Sequence, residues 1–209
     1  VFDPKELLPI LMQLSQEVAA LQVNPRFPYL DRRPTIVDGS LLHALPRMLW
    51  ALWVDDEHRA AKMHLEYDLL ADAPAFATVT DGQGNERTVL RGRLASGKLY
   101  LLDAGYADYA LLAAILEASS SFLVRVRTCS VYQVLEERPV TEAAGRAGVV
   151  EDLVVRLGSE DSTELHGHRL RLLKLSGPDT DALLGRRHTG RYARGRRRAA
   201  PGTRYSLWL

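Results

Sequence analysis

Two aspartates, Asp38 and Asp103, each follow a short apolar run: Thr35-Ile36-Val37-Asp38-Gly39-Ser40 and Leu99-Tyr100-Leu101-Leu102-Asp103-Ala104-Gly105-Tyr106. A β-prone run that closes on Asp and Gly predicts a strand ending in a turn. Strands followed by a helix and a further strand imply a mixed sheet with helix cover. Where two such strands are neighbours, their terminal carboxylates can share a divalent cation, and hard oxygen ligands suit Mg²⁺ or Mn²⁺. Metal pairs of that kind promote in-line attack on phosphodiesters by activating the entering oxygen and stabilising the leaving one. The bland alternative is that Asp38, Ser40 and Asp103 only cap turns through their side-chain oxygens, with Gly105 relaxing the second turn.

Four boxes then occur in order: Asp38-Gly39-Ser40, the strand Lys62-Met63-His64, Asp103-Ala104-Gly105-Tyr106, and Ser121-Phe122-Leu123-Val124-Arg125. Between about residues 30 and 130, their order and spacing resemble the catalytic core of DDE-type bacterial insertion-sequence transposases, of the group named after insertion sequence four. The resemblance implies an α/β chain with a ribonuclease H-like mixed sheet, helices and a β-rich insertion. It also implies that Asp38 and Asp103 are catalytic and metal-binding, with Mg²⁺ (or Mn²⁺) as cofactor. DNA, both transposon ends and target, is the implied substrate, and a homodimer on DNA the implied assembly. Arginine is commoner in the family where this chain has Ala104.

Lys62 and His64 lie two apart and so share one face of a strand, where a lysine can neutralise a phosphate. With Tyr106, from the second aspartate's box, and Arg125, whose strand resembles the family's Phe-x-x-Arg, they are the candidate DNA contacts. The plain alternative for Lys62 and His64 is a solvated strand face. His166-Gly167-His168 lacks a third ligand nearby and reads as a turn. Ser96-Gly97-Lys98 lacks the first glycine of a phosphate loop and precedes a strand rather than a helix. Trp50 and Trp53 read as packing residues, and Glu136-Glu137 as an exposed pair.

Composition narrows the classes further. Hydrophobic residues make up 46% and charged residues 25% of the 209, ordinary for a globular domain. No apolar run approaches the roughly 18 residues of a membrane span, and no cleavable leader pattern opens the chain, so a cytoplasmic location near the nucleoid is expected. The single cysteine, Cys129, cannot form an intrachain disulfide. The chain opens on Val1, which leaves room for upstream residues, where family members carry an end-binding region.

Along the chain, Asp3-Pro4-Lys5-Glu6 resembles a helix start, and Leu7, Leu8, Leu11, Leu14, Val18 and Leu21 recur at helical spacing to about residue 22. Strands are predicted before Asp38, over 58–67, 75–80, 98–102 and 121–127. A short helix or turn is predicted over 86–94 and a helix over 107–118. Further β-prone runs cover 131–134, 149–157 and 168–175. The expected organisation is an N-terminal helical segment over 1–29, a ribonuclease H-like core over 30–129, and a β-rich insertion over 130–175. A basic tail over 176–209 is read as disordered or out of frame.

That last segment rests on charge and composition. Residues 1–175 hold 19 basic and 24 acidic side chains, and residues 176–209 hold 8 and 2, so a net charge of +1 conceals an acidic body and a basic end. The stretch from Gly185 to Gly202 is largely Arg, Gly, Ala and Pro, from which no core can be built. Family members continue here with a strand and a helix bearing Tyr-x-x-Arg-x-x-x-Glu, whose glutamate completes the triad. Residues 176–209 contain no such pattern, so the chain is expected to be a truncated or frameshifted transposase with weak or absent catalysis. The alternative is a non-catalytic DNA-binding or dimerising remnant that regulates a full-length enzyme. In an unrelated nuclease of the same fold, Glu66 or Glu117 would have to complete the site.

Overall fold

The structure, a computed structural model, describes residues 7–21, 30–43, 51, 59–126, 130–158, 164–165, 167–176 and 203–208. These fall in two compact units, residues 1–123 and 124–209. The Asp3-Pro4-Lys5-Glu6 helix start, Trp50, Trp53, Arg127, Cys129, His166 and the arginine run of the tail lie outside the described residues.

In the first unit, helix α1 (Leu7–Leu21) packs against the third strand of the sheet and leaves Leu7, Ile10 and Leu14 exposed. The sheet comprises β1 (Arg33–His43), β2 (Ala60–Asp68), β3 (Ala73–Asp81), β4 (Lys98–Leu102) and β5 (Ser121–Val126, its last three residues belonging to the second unit), in the order β3-β2-β1-β4-β5. β1 pairs antiparallel with β2, β2 antiparallel with β3, and β1 parallel with β4. A mixed five-stranded sheet of this kind, with a helical crossover between β4 and β5, is what the ribonuclease H-like expectation requires.

Local chemistry sets the crossovers. Helix α2 (Glu86–Arg91) starts at Asn85, whose side chain accepts from the backbone N–H groups of Arg87 and Thr88. After β4, a single 3₁₀ turn over Ala104–Tyr106 precedes α3 (Tyr109–Glu117), for which Asp108 is the N-cap, accepting from Leu111 N–H. Each such cap contributes about 1 kcal/mol to its helix. Residues Leu111, Leu112 and Ile115 of α3, Tyr100 of β4 and Phe122 and Val124 of β5 are almost wholly buried.

The second unit holds an antiparallel meander of β6 (Tyr132–Arg138), β7 (Val149–Leu157), β8 (Leu170–Ser176) and β9 (Thr203–Trp208), with α4 (Glu142–Arg146) between β6 and β7. Leu153, Val155 and Leu157 alternate into its core, joined by Leu170 and Leu172. Asp152 and Arg171 form two hydrogen bonds, at 2.9 and 2.7 Å.

Two expectations need correction. Strand β1 does not end at Asp38: β4 stops pairing early, but β2 continues beside β1 as far as His43, so the chain stays extended well past the aspartate. The tail is not featureless over 176–209. Ser176 closes β8, and Thr203–Trp208 return as β9, with Thr203 opposite Ser176 and Trp208 opposite Arg171. The aromatic and β-branched content of Thr-Arg-Tyr-Ser-Leu-Trp suits a strand, whereas the composition argument concerned the residues before it.

Candidate active site

The parallel pairing of β1 with β4 runs from Arg33 opposite Lys98 to Ile36 opposite Leu101, with no shift of register between them. Asp38 and Asp103 lie two positions beyond Ile36 and Leu101 on their respective chains, and the backbone is still extended at Asp103 (φ −78°, ψ 176°). Side chains alternate along a strand, so Asp38 shares a face with Ile36 and Asp103 with Leu101. The two aspartates therefore stand side by side on one face of the sheet, and both are exposed.

Each carboxylate is oriented by a neighbouring peptide. Asp38 Oδ1 accepts from Gly39 N–H at 2.9 Å, and Asp103 Oδ1 accepts from Gly105 N–H at 2.7 Å. The second bond explains Gly105: a Cβ there would lie 2.9 Å from Asp103 Oδ1. Among the described residues neither aspartate has an ion-pair partner, and both charges act on the hydroxyl of Tyr106. Paired hard oxygens in that state fit a divalent cation. Among the described residues, no group of three or more His, Cys, Asp and Glu side chains is arranged to hold one.

Tyr106 lies at the bottom of this corner, only 2% exposed. Burial, then the charges of Glu86, Asp38 and Asp103, push its hydroxyl far above the usual phenol range. The phenol is thus a neutral neighbour to three carboxylates and sits beneath the surface, where the expectation had made it a DNA contact.

Glu86 is the residue that sequence reasoning missed. It opens α2 and lies against β1, where a Cβ on Gly39 would fall 2.6 Å from Glu86 Cδ and Oε1. Glu86 Oε1 is 3.2 Å from Lys62 Nζ, which also donates to the Gly84 carbonyl at 3.1 Å. The available signals were the Gly39 of the first box and the Asn85 cap that fixes where α2 begins.

The Lys62 and His64 expectation meets a different environment. Gly39 pairs with His64 and Leu41 with Lys62, so both side chains project on the face opposite Asp38. His64 is 4% exposed, its Nε2 lies 2.9 Å from Thr80 Oγ1, and its Nδ1 has no partner among the described residues. Burial lowers its pKa below the usual imidazole value, with Glu86 opposing and Lys62 reinforcing the shift. Arg125 is exposed on β5. Neither alternative acid is placed to complete the site: Glu66, 3% exposed, faces away from Asp38 and is held by Lys98 at 2.8 Å and Arg93 at 3.4 Å. Glu117 is an exposed residue at the end of α3.

The family model described as transposase DDE domain matches residues 29–191, which include the whole of this corner. The chain belongs to that family. A transposase-family assignment also agrees with a protein of Sinorhizobium fredii named putative transposase y4zB, 33% identical over 129 residues. That match covers 60% of this chain and 36% of the relative, so the chain spans about a third of the length of the relative it matches. A solved structure of the piggyBac transposase synaptic complex with hairpin DNA is similar at a TM-score of 0.42 and 12% identity, over 84% of this chain and 33% of that one. Among the described residues, no helix of this DDE-family chain is long and apolar enough to cross a membrane.

Proposed function

We propose that this chain carries the catalytic corner of a DDE transposase, with Asp38 and Asp103 holding Mg²⁺ or Mn²⁺ while a DNA phosphodiester is cleaved and rejoined to a target. The observation that supports it most is the common register of β1 and β4, which sets two unpaired carboxylates side by side within a matched transposase domain. A divalent ion bound there supplies Lewis-acid activation of the attacking oxygen and charge stabilisation of the leaving one. The protein's own part is orientation. The Gly39 and Gly105 N–H groups fix one oxygen of each aspartate, leaving the other for the ion. Tyr106, kept protonated, provides a neutral floor that adds no charge of its own.

Of the candidate DNA contacts, exposed Arg125 fits a phosphate contact best. Lys62 would have to leave Glu86, and buried His64 serves the fold rather than DNA. Transposon ends, target DNA and a second copy of the chain complete the proposed assembly, and DNA as substrate implies action in the cytoplasm at the nucleoid.

A second reading, a DNA-binding or dimerising protein that does not cleave, draws on the absence of a three-acid cluster among the described residues. Nicking of supercoiled DNA bearing the transposon ends, with Mg²⁺ or Mn²⁺, separates the two. The catalytic reading expects nicking, weak because no third acid completes a cluster among the described residues, that Asp38→Asn abolishes while DNA retention persists. Retention without nicking by the unaltered chain would favour the second.

A further inference from the structure

We infer that Arg87 is a positioning residue for Asp103, acting through Gly105; the inference rests on the metal-binding reading of Asp103 given above. Gly105 is gripped from both sides. Its N–H donates to Asp103 Oδ1 at 2.7 Å, and its carbonyl accepts from Arg87 Nε at 3.0 Å. The same guanidinium reaches Asp108 Oδ2 through Nη1 at 3.4 Å, while the other carboxylate oxygen, Asp108 Oδ1, caps α3 through Leu111 N–H at 3.0 Å. Arg87 is itself fixed at the start of α2, where its backbone N–H donates to Asn85 Oδ1 at 3.0 Å.

One planar, multiply donating group thus ties the start of α2 to the middle and the far end of the loop between β4 and α3. Asp103 stands in that loop just past the end of β4, so its carboxylate is only as well placed as the Gly105 N–H that bonds it. The N–H and the carbonyl of Gly105 belong to successive peptide planes that meet at its Cα, so holding the carbonyl anchors a residue whose φ and ψ glycine otherwise leaves free, and with it the N–H that bonds Asp103. A lysine cannot replace this grip, since its point charge lacks the fixed fork of the guanidinium. Partners that orient a metal ligand from outside typically change metal affinity by about 10–100-fold when removed.

The sign of the effect separates positioning from simple charge. Removing a cation near a cation site should tighten metal binding if Arg87 acts only through its field. Positioning demands the reverse. Isotherms of Mn²⁺ binding to the full chain are expected to weaken by about 10–100-fold in Arg87→Ala and also in the charge-keeping Arg87→Lys. Arg91→Ala, on the exposed side of the same helix, should match the unaltered chain. A metal-free readout accompanies them: the Gly105 amide proton resonance should move upfield in both Arg87 variants as its bond to Asp103 lengthens.

Unchanged or tighter Mn²⁺ binding in Arg87→Ala, beside normal binding by the unaltered chain, overturns the role of Arg87 alone. No Mn²⁺ binding by the unaltered chain overturns the metal reading and this inference with it. Should Arg87→Ala fail to fold, Arg87→Lys and the Gly105 resonance decide the matter.

Discussion

The two faces of β1 carry ionisable groups of opposite standing. On the Val37 and Gly39 face, Lys62 is paired with Glu86, and Glu66 with both Lys98 and Arg93. Arg93 also stacks over the Phe76 ring, 3.3 Å from its centroid. On the Asp38 face, two carboxylates stand together, exposed, with no cation paired to them among the described residues. Paired and half-buried charges hold a sheet's layers together; unpaired like charges cost stability and are kept for a ligand. The difference supports the proposal that one face serves the structure and the other the chemistry.

Substitutions can break that contrast, beginning where the effect is largest. Glu66→Ala strips the partner from Lys98 and Arg93 and leaves a polar hole beside buried Tyr100. Because both cations are partly exposed and can hydrate, the expected loss is about 2–3 kcal/mol, below the roughly 3–5 kcal/mol of a fully buried pair. Urea denaturation measures it. A loss under about 0.5 kcal/mol, the scatter of ordinary surface substitutions, would show that this face is not held by its charges.

Lys62→Met comes next. It leaves Glu86 without its cation, and since Glu86 is itself part-exposed the expected loss is about 1 kcal/mol. A gain in stability would mean that the ion pair is a burden retained for another purpose.

A pH dependence follows from His64. Its folded pKa is lowered by burial, so between that value and the unfolded value the unfolded chain binds more protons. Stability then rises with pH and falls as pH drops below about 6.5, the unfolded imidazole value. Thermal midpoints between about pH 7.5 and 5 should decline more steeply for the unaltered chain than for His64→Gln. Equal slopes would place the titrating group elsewhere.

The smallest expected effect is on the other face. In metal-free buffer, Asp38→Asn should change stability by no more than about 0.5 kcal/mol, in either direction. A loss of about 2 kcal/mol, the upper end for a capping side chain, would make Asp38 a structural cap after all.

Much of the frame on which this contrast rests was legible in the sequence because its signals are local. Lys98–Leu102 and Val149–Leu157 form strands with the bounds their β-prone runs predict, and Asp108 sits at the start of a helix as its type and place suggest. The side-by-side placement of Asp38 and Asp103 was expected only through the family pattern. Its physical basis is a register, which belongs to two strands and not to either segment.

The misreadings share that cause. Asp38 looked like a strand end because Gly39 and Ser40 favour turns, yet pairing with β2 keeps the chain extended to His43. Glu86 went unread at the start of the short helix or turn over 86–94, and nothing near it in sequence announces Lys62 or Gly39. Lys62 and His64 were correctly placed on one face, but which face is decided by the pairing with β1. β9 went unseen because it follows a stretch whose composition carries no strand signal.

On the reading proposed above, Asp38 and Asp103 form one site for a divalent cation. The most direct test of that reading is an Mn²⁺ binding isotherm on the full chain, beside Asp38→Asn and Asp103→Asn, with folding checked by circular dichroism. Saturable binding by the unaltered chain that weakens by about 100-fold or more in each variant, about 2.7 kcal/mol per site residue, is the predicted result. Binding that either variant leaves intact would contradict it, as two separate carboxylates are not a site.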